Sequence, residues 1–191
     1  GMRNLWDETD CGSDDALHCC AYGSRLLGGD PSLVLHGGGN TSVKADWADI
    51  TGRSFEALYV KGSGWDLASI EVPGLTPLPI DRLHDLLALD ALSDADMMGE
   101  LSAARLRHDA PQPSVETLLH AYLPHRAVQH SHADVILGLT NVADAEDTLA
   151  EVYGDDVVVV PYVMPGFDLA KAVQACWDEQ AHEGTVGMVL R

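Results

Sequence analysis

Two histidines stand one residue apart in His130-Ser131-His132. On a β-strand, residues i and i+2 project to the same face. The two imidazoles would then stand side by side, as a pair of metal ligands or as a hydrogen-bonded polar pair. Asp134 either orients one imidazole from behind or caps a following helix. A second group is Gly37-Gly38-Gly39-Asn40-Thr41-Ser42. Glycines allow positive φ and close backbone approach, and the polar residues after them add donors. Such a segment holds a phosphate in a nest of N–H groups or makes a tight turn between strands. No Gly-Lys-[Ser/Thr] follows, which excludes a P-loop. Gly62-Ser63-Gly64 is a second loop of this kind. Leu67 stands where the last glycine of a dinucleotide fingerprint belongs, so that reading fails. The third group is Ser114-Val115-Glu116, after Pro111-Gln112-Pro113. A carboxylate there interacts with a helix dipole or, near a metal, acts as a general acid or base.

The elements that must carry these groups follow from periodicity and punctuation. Ser13 before Asp14-Asp15 suits a helix N-cap. Leu17, Cys20, Ala21, Ser24 and Leu27 recur at helical spacing until Gly28-Gly29. Strands are expected at 32–35, 42–45 and 55–60, the last two around a Thr51-Gly52-Arg53 turn. A Pro-punctuated connection leads to helices near Asp81 and around Met97–Leu106. Ser114 suits the N-cap of a helix through Leu118, Leu119 and Tyr122. Strands at 127–132, 157–163 and 185–191 alternate with helices at 145–152 and 168–180. Alternation without repeats or linkers predicts one α/β or α+β domain over residues 1–191.

Composition sets further bounds. The chain has 191 residues, 46% of them hydrophobic, enough for a sizeable core. Lys+Arg 11 against Asp+Glu 30 gives a net charge of -19. That surface repels nucleic-acid backbones and anionic lipid heads, yet a local nest can still hold a small anion. No apolar run approaches the ~18 residues of a membrane span, and residues 1–4 have no apolar signal region. Cys11, Cys19, Cys20 and Cys176 form no C-x-x-C. Reduced thiols in a cytoplasmic protein are expected.

Five motifs occur in one order: Gly-Gly-Asn-Thr-Ser, Lys-Gly-Ser-Gly, Ser-x-Glu-x-x-x-His ending at His120, His-x-His-Ala-Asp and Pro-Gly-Phe-x-Leu-Ala. In this the chain, from about Leu5 to Arg191, resembles the class II aldolase/adducin family. Within it, the likeness is to the aldolase domain of bifunctional rhamnulose-1-phosphate aldolase/alcohol dehydrogenase proteins. The resemblance implies a three-layer α/β/α domain with a central, mostly antiparallel sheet. It implies a homo-oligomer that cleaves a ketose phosphate, such as rhamnulose 1-phosphate, through a zinc-stabilised enediolate. An adducin-like binding module and a related epimerase or decarboxylase are the alternatives. Carried over by motif, His130 and His132 are zinc ligands and Glu116 is the acid/base. Gly39, Asn40, Ser63, Gly64 and Ser114 bind phosphate. The family's third zinc histidine lies in a His-Gly-Leu motif placed just after the strand that ends this sequence at Arg191. On that pattern the domain is incomplete at its C-terminus, and the 191-residue form is expected to bind zinc weakly and to show little activity. His130 and His132 are expected to face one cavity with Glu116, and Ser114, Asn40 and Ser63 to line its phosphate end.

Overall fold

The computed structural model describes residues 15–30, 39–131, 135–139, 157–161, 163–185 and 187–190. Helix α1 spans Ala16–Gly28, capped by the Asp15 carboxylate, which accepts the Leu17 N–H at 2.8 Å. Asp15 therefore takes the role the sequence suggested for Ser13, which lies outside the described residues. Strands β1 (Asn40–Ala48) and β2 (Ser54–Lys61) form a hairpin with Ser42 opposite Val60. Strand β3 (Leu75–Pro79) then pairs with β2. Helices α2 (Ile80–Leu87), α3 (Asp94–Ala103) and α4 (Thr117–Tyr122) follow. Strands β4 (Ala127–His130), β5 (Val135–Leu139) and β6 (Val157–Val160), helix α5 (Phe167–Gln180) and strand β7 (Gly187–Leu190) complete the described elements.

The seven strands form one sheet in the order β3-β2-β1-β4-β5-β7-β6. Every pairing is antiparallel except β6 with β7. This is the expected α/β architecture with a mostly antiparallel sheet. Both faces are covered, because adjacent residues of a strand enter different cores. On β2, Ala57 and Tyr59 pack with Cys20, Val43, Ile70 and Leu75 on the α1 side. Leu58 and Val60 pack with Leu83, Leu86, Met97, Leu118 and Phe167 on the other. A further cluster of Leu119, Val128, Ile136, Val158, Val173 and Met188 carries that side toward β6. Among the described residues no helix is long and apolar enough to cross a membrane.

Several local expectations need correcting. The Pro-punctuated connection contains β3, whose Pro77 and Pro79 are compatible with a strand because β3 lies at the sheet edge, where a missing N–H breaks no ladder. Val135–Leu139 forms a strand that the sequence reading did not mark, so no helix starts directly after Asp134. The N-cap position of helix α4 is Glu116 rather than Ser114, and its side chain makes no capping hydrogen bond. Ser114 supports the turn before it, its carbonyl accepting from the Thr117 N–H at 3.1 Å and its Oγ from the Glu116 N–H at 3.1 Å. The strand expected over 127–132 ends at His130.

Candidate active site

Register brings the first two groups together. The antiparallel pairing of β1 with β4 sets Asn40 directly opposite His130. Asn40 follows Gly39, whose φ of 82° is a left-handed conformation that glycine adopts without strain. The third group arrives through loop contacts. Gly62 bridges to Pro113, and the Ser63 N–H donates to the Gln112 carbonyl at 2.9 Å. A Cβ on Gly62 would lie 2.3 Å from Pro111 Cγ, so this approach requires glycine. The Thr76 hydroxyl donates to the Pro111 carbonyl at 2.7 Å and anchors the same loop.

These elements enclose a cavity of about 530 Å³. Gly39, Asn40, Ser63, Ser114, Glu116 and His130 line it. Gly64 is not among the lining residues; its φ of 84° turns the loop behind Ser63. His132, Gly37, Gly38 and Asp134 lie outside the described residues. At the cavity floor, Glu116 Oε2 sits 2.9 Å from His130 Nδ1 and 3.2 Å from Asn40 Nδ2. The Asn40 amide also donates to Ser114 Oγ at 2.5 Å. The side chains of Glu116 and His130 are each only 12% exposed. Burial alone would push the Glu116 carboxyl up. The hydrogen bond and charge of His130, with smaller help from His120 and Asn40, outweigh it and bring the group down to about 2. The site thus holds an ionised carboxylate at neutral pH.

Behind the floor, His120 is fully buried and its Nδ1 lies 2.6 Å from Ser42 Oγ. Burial lowers its pKa to about 4, so it is a neutral imidazole. Lys61, Met98 and Gln112 also line the cavity, though sequence reasoning gave them no role. Lys61 immediately precedes the Gly62-Ser63-Gly64 loop, a cation beside a candidate anion site, and that adjacency was a usable signal. Met98 comes from α3, and no spacing in the sequence links it to Glu116.

Zinc accepts imidazole nitrogen and carboxylate oxygen ligands. His130 offers an imidazole at the cavity, and its Nδ1 lies 2.9 Å from Glu116 Oε2, a carboxylate that orients the ring. Among the described residues no group of three or more metal-ligating side chains is gathered. Of the two histidines expected to hold a metal, His130 alone is among the described residues.

A mostly antiparallel layered sheet with a buried carboxylate–imidazole pair beside a glycine-loop cavity makes this an α/β domain with a polar site. Residues 19–191 match the family model described as the class II aldolase and adducin N-terminal domain, and the chain belongs to that family. Over 173 residues it is 36% identical to a Bacillus subtilis (strain 168) protein named uncharacterized oxidoreductase YuxG. That match covers 90% of this chain and 25% of the relative, so the chain spans about a quarter of that protein's length. Among solved structures, it is similar to the N-terminal class II aldolase domain of a conserved protein from Thermoplasma acidophilum, at 40% identity and a TM-score of 0.81. There the likeness covers 100% of this chain and 86% of the other.

Proposed function

We propose that this domain is a metal-dependent carbon–carbon lyase acting on a ketose phosphate such as rhamnulose 1-phosphate. The observation that carries this reading is the buried Glu116 carboxylate on the floor of a cavity, 2.9 Å from His130 Nδ1 and 3.2 Å from Asn40 Nδ2. A general base needs to be charged, fixed and within reach of the substrate. Glu116 moves the proton at the carbon beside the substrate carbonyl. Ser63 and Ser114, with the Gly39-Asn40 and Ser63-Gly64 turns, hold the phosphate and set the carbon chain over the carboxylate. His130 and His132 hold the metal. Zinc, when bound, supplies Lewis-acid stabilisation of negative charge on the substrate's oxygens. The cavity excludes most bulk water from Glu116, which sharpens its interactions with charge. We also assign this activity to the cytoplasm and to a homo-oligomer.

The test is aldol cleavage of a panel of ketose phosphates by the zinc-loaded chain, beside Glu116→Gln. Release of an aldehyde and dihydroxyacetone phosphate that is lost in the variant supports the reading. Cleavage by the 191-residue form is expected to be slow, and phosphate binding with no cleavage of any member even at saturating zinc would replace the enzyme by a binding module.

A further inference from the structure

At the end of β1 away from the catalytic cavity, the β1–β2 hairpin runs out past its neighbours. Strand β1 pairs with β4 through Asn40–Val43, and β2 pairs with β3 through Ala57–Lys61. Among the described residues, 46–48 and 54–56 pair with each other alone, as a two-stranded ribbon. Ile50 at its tip is fully exposed. At the base of the ribbon, Lys44, Asp46, Glu56, Pro124 and Arg126 line a second cavity, of about 420 Å³. Its charges lie in two rows. Asp46 stands directly opposite Glu56. Two residues back along β1, the Lys44 N–H donates to the Arg126 carbonyl at 2.8 Å, which makes these two cations neighbours. Like charges directly opposite on paired strands repel. Among the described residues, no opposite charge stands within ion-pair distance of any of the four. Asp46, Glu56 and Arg126 are exposed, while Lys44 is half-buried and donates to the Leu123 carbonyl. Lys44 and Arg126 are two of only 11 basic residues in a chain of net charge -19. Copies of so acidic a protein repel over most of their surface, and they approach best where exposed cations stand beside acids.

We propose that this face is a two-fold contact between two copies of the chain, in which the Asp46–Glu56 row of each copy lies on the Lys44–Arg126 row of the other. A two-fold contact uses one patch twice, so the patch must complement itself. An acid row beside a basic row meets that requirement when the axis runs between the rows, across the strands. Each copy then relieves the like-charge pairs of the other. The contact gives the assigned homo-oligomer one of its surfaces. It stands apart from the sugar-phosphate reading, because none of these residues lines the catalytic cavity.

The test is complementary charge reversal on the full chain, read by sedimentation equilibrium. Arg126→Glu makes the patch mainly acidic, and Asp46→Arg with Glu56→Arg makes it wholly basic. All three side chains are exposed, so urea midpoints should stay close to the native value. Should the double variant misfold, Glu56→Arg alone takes its place. The native chain should associate through this contact. Each variant alone should associate at least roughly tenfold more weakly, the scale of a lost interfacial charge pair. An equimolar mixture of the acidic and basic variants should recover a one-to-one pair of native strength. The basic variant also reduces the net negative charge of the chain. General repulsion alone would therefore strengthen its association, and the proposal requires the reverse. A native chain that stays monomeric would overturn the proposal. So would an oligomer that neither reversal weakens, or weakened variants that fail to recover on mixing. Absence of aldol cleavage would leave all of these outcomes unaffected, and a monomeric chain that still cleaves would leave the lyase reading intact.

Discussion

Strand β1 in the middle of the sheet and strand β6 at its edge are both tied to a neighbouring segment by polar groups, and the ties differ in kind. Asn40, Ser42 and Lys44 share one face of β1. Each meets the segment around α4: Asn40 reaches Ser114 and Glu116, Ser42 reaches His120, and the Lys44 ammonium donates to the Leu123 carbonyl. The partners step from Glu116 to His120 to Leu123, about 6 and then about 4.5 Å along the helix, beside strand steps of about 6.6 Å. Strand and helix thus run alongside each other through three successive contacts. Strand β6 is four valines, with Val158 and Val160 buried. Its outward N–H and C=O at Val159 are both bonded by the exposed Gln180 amide, at 3.1 Å each. A central strand buried on both faces can carry polar residues only where each has a partner. Where such a row of partners meets a cavity, at Asn40, it holds Ser114 and Glu116, which line that cavity. The edge strand has no such row and serves packing alone.

The largest expected effect lies at the open end of that row. Glu116→Gln keeps the size and some hydrogen bonds of the side chain but removes the charge that takes a proton. Cleavage should fall by about 10² to 10⁴, the range for losing a general acid–base group. Phosphate affinity should stay within about threefold, because the Ser114 hydroxyl still accepts from the residue 116 backbone N–H. Steady-state kinetics beside phosphate titration checks both. A variant that loses both together would erase the distinction between acid/base and anion donor.

At the closed end the effect moves from rate to stability. His120→Ala removes a fully buried ring and strands the Ser42 hydroxyl, for an expected loss of about 2–4 kcal/mol in urea unfolding. Its pH dependence has a definite sign. Burial is the main cause of the lowered His120 pKa; Glu116 opposes it, and His130 and Lys44 reinforce it. The unfolded group titrates near 6.5 and the folded one at about 4. Between these values the unfolded chain binds more protons, so stability present above pH 6.5 is lost as pH falls through 4. The difference between the native chain and His120→Gln should therefore shrink from pH 7 to pH 4. Glu116, with its pKa brought down to about 2 from 4.5, adds its own loss over that lower window. Urea midpoints at pH 7, 5.5 and 4 test the order. A gap that stays constant over this range would mean that His120 is not held neutral.

Much of this arrangement was legible in the sequence because it is local or repeats with a known period. The Gly39-Asn40 turn, the Gly62-Ser63-Gly64 loop and the order of the five motifs needed no structure, and the α/β alternation followed from periodicity. Other features depend on long-range contacts. Strand β3 was hidden because Pro77 and Pro79 read as a break, and only an edge position reconciles them with pairing. Ser114 resembled a helix cap by type and place. Its hydroxyl does accept an N–H two residues on, but the helix itself starts from Glu116. The Asn40–Ser114 contact joins residues 74 apart, and no local pattern encodes it. His132, half of the most visible motif, lies outside the described residues, so of the histidine pair only His130 is placed at the cavity.

The smallest expected effect is at the edge, where it limits how far the contrast with β1 extends. In the parallel pairing with β7, the even-numbered valines of β6 are buried while Val159 is exposed. The Gln180 amide supplies one acceptor and one donor to Val159, standing in for a neighbouring strand. Because the bond is exposed, water can replace it, and Gln180→Ala should cost less than about 1 kcal/mol. The backbone groups it releases would form part of an open template for another strand, which is a route to association. Sedimentation velocity over a concentration series should then show more self-association in Gln180→Ala than in the native chain, with unfolding midpoints nearly unchanged. A loss of several kcal/mol would instead make this tie as necessary as those of Asn40, Ser42 and Lys44. The difference between a central strand held by buried partners and an edge strand held by packing would then disappear.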